Sequence, residues 1–170
     1  DIIQYTINYT MNVGTNAGAT PIKYNYHDSF SLAEPTKKGY TFLGWTYEGQ
    51  TAPTKNVSVV AGTTGDKTYT ANWQANTYTV TFDANGGTVS TTSKDVTFDT
   101  NLTLPTPERT GYTFGGWYNG SKLFDFSTKI TSDITLTAKW QIVEYKIIYF
   151  TNGGTNPDDA PATYTVETLP

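Results

Sequence analysis

The side chains able to do chemistry in this 170-residue chain are few and scattered. Its single histidine, His27, cannot alone supply a metal cluster or an imidazole-based triad, since each needs further partners at matched spacing. The residue 72 positions on is Asp99, so His27 has no counterpart there and reads as a surface turn residue. The carboxylates Asp83, Asp95, Asp99, Asp125 and Asp133 are dispersed without the spacing of a calcium loop. Nor does the pattern pair two acids across a cleft, as glycoside hydrolysis requires. Cysteine is absent, which removes the disulfide argument for an outside location without placing the chain in the cytoplasm. The net charge is −4 with no basic patch, a poor electrostatic footprint for nucleic acid, and Lys37-Lys38 reads as a solvated turn. Catalytic residues and metal sites are therefore not expected.

Aromatic residues remain: four Trp, thirteen Tyr and eight Phe. Such rings bury roughly 150 to 250 Å² each, enough to stabilise small domains without disulfides. Trp45 and Trp117 end strands after a glycine, and Trp73 and Trp140 close longer sequence blocks, so all four read first as packing residues. Their alternative is an exposed platform for sugar or peptide, which solvent exposure separates from a core role. By strand alternation Tyr47 and Tyr118, just beyond the first pair, are the candidate surface-binding aromatics.

The elements that position these rings are repeated. Tyr5-Thr-Ile-Asn-Tyr9, Gly39-Tyr-Thr-Phe-Leu-Gly-Trp45 and Tyr69-Thr-Ala-Asn-Trp73 return as Tyr78-Thr-Val-Thr-Phe82, Gly111-Tyr-Thr-Phe-Gly-Gly-Trp117 and Leu136-Thr-Ala-Lys-Trp140. A third copy opens at Tyr145-Lys-Ile-Ile-Tyr149 with Asn152-Gly153-Gly154. Self-similarity at a period of about 70 residues turns one apparent domain into a string of modules. We read residues 1–73 as the first module, 74–77 as a short joint, 78–140 as the second, 141–144 as a joint, and 145–170 as the start of a third. The joints lack Gly and Pro, so neighbouring modules are expected to hold a preferred angle in an elongated array. The start at Asp1 reads as a fragment of a longer chain, and no apolar run approaches a membrane span.

Within the second copy, Tyr78, Val80 and Phe82 share one face of a strand with Thr77, Thr79 and Thr81 on the other. Asn85-Gly86-Gly87 predicts a tight turn, followed by strands around Val96 and Phe98, Tyr112–Tyr118 and Ile134–Trp140. Phe124, Phe126 and Ile130 are expected to fold onto the sheet, with at most one helical turn over Asp125–Lys129. Pro105 and Pro107 oppose a long helix. The first copy follows the same plan except at Val13, which stands where Gly86 does. A β-branched residue resists the left-handed conformation, so a different hairpin bent at Gly14 and Gly18 is expected there.

Phe82-Asp-Ala-Asn-Gly-Gly87, Pro107-Glu-Arg-Thr-Gly-Tyr-Thr-Phe-Gly-Gly-Trp-Tyr118 and Leu136-Thr-Ala-Lys-Trp140 resemble the Listeria–Bacteroides repeat, the B-repeat type of module in internalin-like bacterial surface proteins. Pro35-Thr-Lys-Lys-Gly-Tyr-Thr-Phe-Leu-Gly-Trp45 and Thr70-Ala-Asn-Trp73 carry the likeness in the first copy, and Tyr145–Gly154 in the third. The resemblance implies a mostly β or α+β fold of tandem β-grasp-like, ubiquitin-like modules on secreted, cell-wall-associated proteins. It also implies no enzymatic activity and no obligatory cofactor.

The function expected is a non-enzymatic stalk or spacer with an adhesion surface. The alternative is a carbohydrate-binding module using exposed aromatics. The expected partners are a host or neighbouring-cell surface protein or glycan, with no nucleic acid and no membrane insertion. A monomer is expected, with self-association through the incomplete third repeat as the alternative. Asn8, Asn56, Asn101 and Asn119 fit the glycosylation acceptor pattern, which arises readily in a Thr/Asn-rich chain. No signature selects a Lys, an Asn and a buried acid for an internal isopeptide bond.

Overall fold

A computed structural model describes residues 2–18, 20–125 and 127–168. The chain divides into two compact units, Asp1–Thr77 with Thr97–Asp99, and Tyr78–Val96 with Thr100–Pro170. In the first unit the strands are β1 (Gln4–Thr10), β2 (Lys23–Asn25), β3 (Phe30–Ser31), β4 (Tyr40–Thr46), β5 (Ser58–Val59) and β6 (Lys67–Ala75). Their main sheet has the order β2-β1-β6-β4, and β3 pairs with β5 beside it. Next come β7 (Thr77–Asp83), β8 (Ser93–Thr97), β9 (Tyr112–Asn119), β10 (Lys122–Leu123) and β11 (Ile134–Ile142) in the order β10-β9-β11-β7-β8. The small hairpin of β12 (Tyr145–Lys146) and β13 (Thr163–Tyr164) completes the second unit.

Period-two alternation builds these strands, and long-range pairing joins them. In each unit the opening strand lies parallel to the closing one, with Ile7 opposite Lys67 in the first and Val80 opposite Ile134 in the second. A parallel pair needs a long crossover and cover on its apolar face. The crossovers here run through β4 and β9, which return antiparallel on the other side of β6 and β11. The first core gathers Ile7, Tyr24, Phe42, Trp45, Tyr69 and Ala71, and the second Val80, Phe82, Val96, Trp117, Leu136 and Ala138.

The architecture corrects the expected α+β, β-grasp-like fold: it is an all-β repeat with no helix among the described residues. Where a helix would cross the sheet, the chain runs as irregular segments through Pro35 and through Pro105 and Pro107. Proline there lacks an N–H and restricts the residue before it, so the crossover stays extended. Within the expected limit of one turn over Asp125–Lys129, the Thr128 N–H donates to Asp125 O at 2.9 Å. Asp125 accepts the Ser127 N–H at 2.9 Å and its hydroxyl at 2.8 Å, giving the backbone a local alternative to helix. Phe126 lies outside the described residues.

The first hairpin turn is a second correction. Asn12 and Val13 take φ of 48° and 60°, and Asn85 and Gly86 take 48° and 86°, so the two turns share one conformation. Gly14 N–H donates to Met11 O at 2.9 Å as Gly87 N–H donates to Ala84 O at 3.0 Å. Surrounding bonds over-determine the turn. Asn12 Nδ2 donates to Ala71 O and Asn85 Nδ2 to Ala138 O, each at 3.0 Å. Val13 thus holds a strained conformation while 90% exposed, so its side chain recovers little by burial. Val13→Gly is expected to raise the stability of the first unit by about 1 kcal/mol, the left-handed penalty outweighing the entropy that glycine adds to the unfolded chain. A urea titration in which the variant's midpoint fell would contradict this.

Candidate functional site

The four tryptophans divide by burial. Trp45 and Trp117 are core residues at 0% and 3% exposure, so neither ring can serve as a platform. Trp73 and Trp140 are half-buried and fill equivalent places. Each indole lies about edge-on to the phenylalanine of the neighbouring strand, Phe42 at 5.4 Å and Phe114 at 5.6 Å between ring centres. Each Nε1–H donates into the first turn, Trp73 to Met11 O at 3.0 Å and Trp140 to Ala84 O at 2.9 Å. Gly14 and Gly87 make room for them, since an added Cβ would lie 2.5 and 2.6 Å from the two Cζ2 atoms. The landmark Gly86 is favoured by its φ of 86°, and the Arg109 guanidinium carbon would lie 3.3 Å from an added Cβ, a contact that the end of the arginine side chain can relieve by a small shift.

Tyr47 and Tyr118 are both half-buried and do not occupy equivalent positions. Tyr47 packs on Tyr69 with ring centres 5.3 Å apart, at the margin of the first core. Tyr118 sits in β9 opposite Leu123 and Thr137, with the Lys139 ammonium 5.4 Å from its ring centre.

The dispersed carboxylates accept hydrogen bonds from backbone N–H groups and from side-chain hydroxyls. Asp66 accepts Thr6 N–H at 2.6 Å and Asp133 accepts Thr79 N–H at 2.8 Å, the same service at the start of each parallel pair. Asp83 accepts Asn85 N–H at 2.9 Å, Asp95 accepts the Thr79 hydroxyl at 2.9 Å, and Asp99 accepts the Tyr40 hydroxyl at 3.1 Å. The Ser127 backbone N–H, then its hydroxyl, hold the Asp125 carboxyl below the usual range. His27 is exposed in a turn and its N–H donates to Asn25 Oδ1 at 2.9 Å. No group of three or more His, Cys, Asp and Glu is placed to hold a metal among the described residues.

The repeated polar feature that residue-by-residue reading missed is a cation seated on a tyrosine. Lys37 Nζ lies 3.8 Å from the Tyr40 ring centre, and the Arg109 guanidinium lies 3.8 Å from that of Tyr112. Lys37 opens the expected turn, its carbonyl accepting the Tyr40 N–H at 3.1 Å, while its ammonium rests on the Tyr40 ring. The signal was available: positions 37 and 109 are both basic, and each precedes Gly-Tyr by the same interval. In the second unit Arg109 also donates to Asn85 O at 3.2 Å and borders a groove of about 630 Å³. The Tyr112 hydroxyl donates to Glu167, and this hydrogen bond, then burial, raise its pKa.

Burial pushes the phenols of Tyr9 and Tyr69 up to about 12 from 10.0, Tyr9 being further raised by Tyr69, and Tyr69 by Glu48 and neighbouring phenols. The fold favours the neutral phenol, so this stabilisation is complete below pH 10 and is lost as pH rises from 10 toward 12. The first unit is expected to melt at progressively lower temperature across that interval, with its last tyrosinate absorbance appearing on unfolding. Full ionisation near pH 10 in the folded unit would contradict this.

A duplicated all-β module whose repeated landmarks lie in cores and turns is a tandem-repeat protein. Residues 5–74 and 78–139 match the Listeria-Bacteroides repeat domain, and the chain belongs to that family. It is 32% identical over 164 residues to a protein of Evansella cellulosilytica called a membrane protein, covering 92% of this chain and 24% of that one. A second protein of that organism, called a Gly-rich membrane protein, is 31% identical over 172 residues, covering 96% and 19%. Internalin H of Listeria monocytogenes is 38% identical over 138 residues, covering 77% and 23%. The chain thus spans a quarter or less of the length of these relatives. It is a non-enzymatic repeat module of an extracellular, cell-wall-associated bacterial protein. Among the described residues no helix is long and apolar enough to cross a membrane.

Proposed function

We propose that this segment is a spacer within a larger surface protein, built from modules at 1–73, 78–140 and 145–170, and that its outer surface contributes contacts to a protein on a host or neighbouring cell. The observation that carries this reading is the division between what repeats and what varies. The repeated residues sit in the core, the parallel strand pair and the glycine turn, whereas exposed positions differ, as Thr36 against Glu108 and Lys38 against Thr110. A sequence that preserves its interior and varies its exterior specifies a scaffold first.

The test is replacement in the full-length parent protein. An unrelated inert domain of equal length should preserve presentation of the flanking parts, while cell adhesion should fall by the share this surface supplies. Loss of presentation despite an intact substitute, or adhesion wholly unchanged, would overturn the spacer and the adhesive part respectively. We further propose that the segment alone is a monomer. The exposed Ile148 and Phe150 of the third copy are where self-association would arise, and sedimentation of the wild type beside Phe150→Lys decides it.

A further inference from the structure

The groove in the second unit has the composition of a saccharide site, although nothing in the spacer reading calls for one. Its volume of about 630 Å³ is within the usual range for small-molecule sites. Half-buried Tyr112, Phe114 and Trp140 supply apolar surface along it, and Glu108 and Arg109 supply one acceptor and one donor group. These two are held at their bases. Glu108 exchanges both main-chain hydrogen bonds with Thr88 at 2.8 Å, and Arg109 rests on Tyr112 while donating to Asn85 O. The hydroxyl-bearing Thr88 and Thr110 line the same groove. An acceptor and a forked donor on consecutive residues at one groove suit hydroxyls, which both donate and accept, and the aromatic wall suits the C–H face of a sugar ring. The Glu108 and Arg109 charges cancel, so the groove does not select for an anion.

We infer that this groove binds an uncharged hexopyranose residue of a polysaccharide, with Glu108 and Arg109 on its hydroxyls and the Phe114–Trp140 wall against its ring, the Tyr112 face being taken by Arg109. The first unit provides an internal control. There Thr36 stands in place of Glu108, Lys37 in place of Arg109 and Lys38 in place of Thr110, around the equivalent Tyr40, Phe42 and Trp73. The acceptor and the fork are both missing and the charge no longer balances, so the first unit does not bind the same sugar.

The experiment is an NMR titration of the intact chain, following the indole N–H signals of Trp73 and Trp140. The probes are hexaoses of glucose, galactose, mannose and N-acetylglucosamine, with a chondroitin hexasaccharide as the acidic comparison. At least one neutral probe should move the Trp140 signal saturably below about 10 mM, a weak but specific regime, and leave Trp73 still. Glu108→Thr and Arg109→Lys should each weaken binding at least about fivefold, the loss of roughly one hydrogen bond. Both substitutions install residues that the first unit already accommodates, so folding is retained. Thr36→Glu with Lys37→Arg and Lys38→Thr should create a response at Trp73. Silence of Trp140 to every neutral probe, equal response at both tryptophans, binding only of chondroitin, or indifference to Glu108→Thr each overturns the inference. None of these outcomes touches the replacement test of the spacer.

Discussion

Gly44→Ala destabilises the first unit by at least about 3 kcal/mol, whereas Gly116→Ala costs the second about 1 to 2 kcal/mol, although the two glycines hold the same place in the repeat. Both lie at positive φ, 137° and 119°, so either alanine meets backbone strain. The surroundings separate them. A Cβ on Gly44 would lie 2.6 Å from the Thr54 carbonyl carbon, 2.7 Å from its nitrogen and 2.8 Å from its oxygen. That backbone cannot yield, because Trp45 and Thr54 exchange main-chain hydrogen bonds at 2.8 and 2.9 Å across the close approach. The strand register shifts between Phe42 and Gly44 to admit it. A Cβ on Gly116 meets first the end of the Leu123 side chain at 2.6 Å, and Leu123 is exposed enough to rotate away. Because whole domains are stable by only about 5 to 15 kcal/mol, the first variant should leave its unit partly unfolded at room temperature. Indole signals of Trp45 and Trp73 report one unit and those of Trp117 and Trp140 the other during urea titration. Equal costs, or a mild Gly44 variant, would show that the Thr54 crossing adapts.

Strands were legible wherever the period-two pattern ran over several residues. Tyr112–Tyr118 and Ile134–Trp140 return as β9 and β11, each slightly longer. Pairing was not legible, because the parallel contacts join residues 54 to 60 positions apart and no local signal encodes which partner wins. The helix suggested by family likeness fails on local chemistry, where Pro105, Pro107 and the Asp125 side chain each offer the backbone something else. Val13 fails in the opposite direction. Its propensity is overridden by Asn12, Gly14 and Trp73, which fix the turn from both sides. At the candidate groove the ingredients were visible in Pro107–Tyr112. Their convergence with Trp140 came only from the β9–β11 pairing, which sets Phe114 opposite Trp140.

Trp45 and Trp117 share burial and neighbours but differ at one atom, and that atom predicts a difference in tolerance. Replacing either with alanine should cost about 3 to 5 kcal/mol, the usual penalty for emptying a large aromatic site. Trp45 is enclosed by Phe42, Tyr9 and Tyr69 with ring centres at 5.3, 5.6 and 6.3 Å, and Trp117 by Phe82 and Phe114 at 5.2 and 5.6 Å. Trp117 Nε1–H donates to Pro105 O at 2.9 Å and so pins the crossover to the core. Trp45 Nε1–H is buried and finds no acceptor among the described residues. Phenylalanine removes the N–H in both cases, with opposite consequences. At position 117 it breaks a bond and strands the Pro105 carbonyl, while at position 45 it relieves a buried donor whose desolvation costs about 1 to 3 kcal/mol. Trp117→Phe is therefore expected to be the more destabilising by about 2 kcal/mol, with its unit's urea midpoint falling well below that of Trp45→Phe in the other. A smaller loss at 117 than at 45 would mean that the Pro105 bond contributes nothing to holding the crossover.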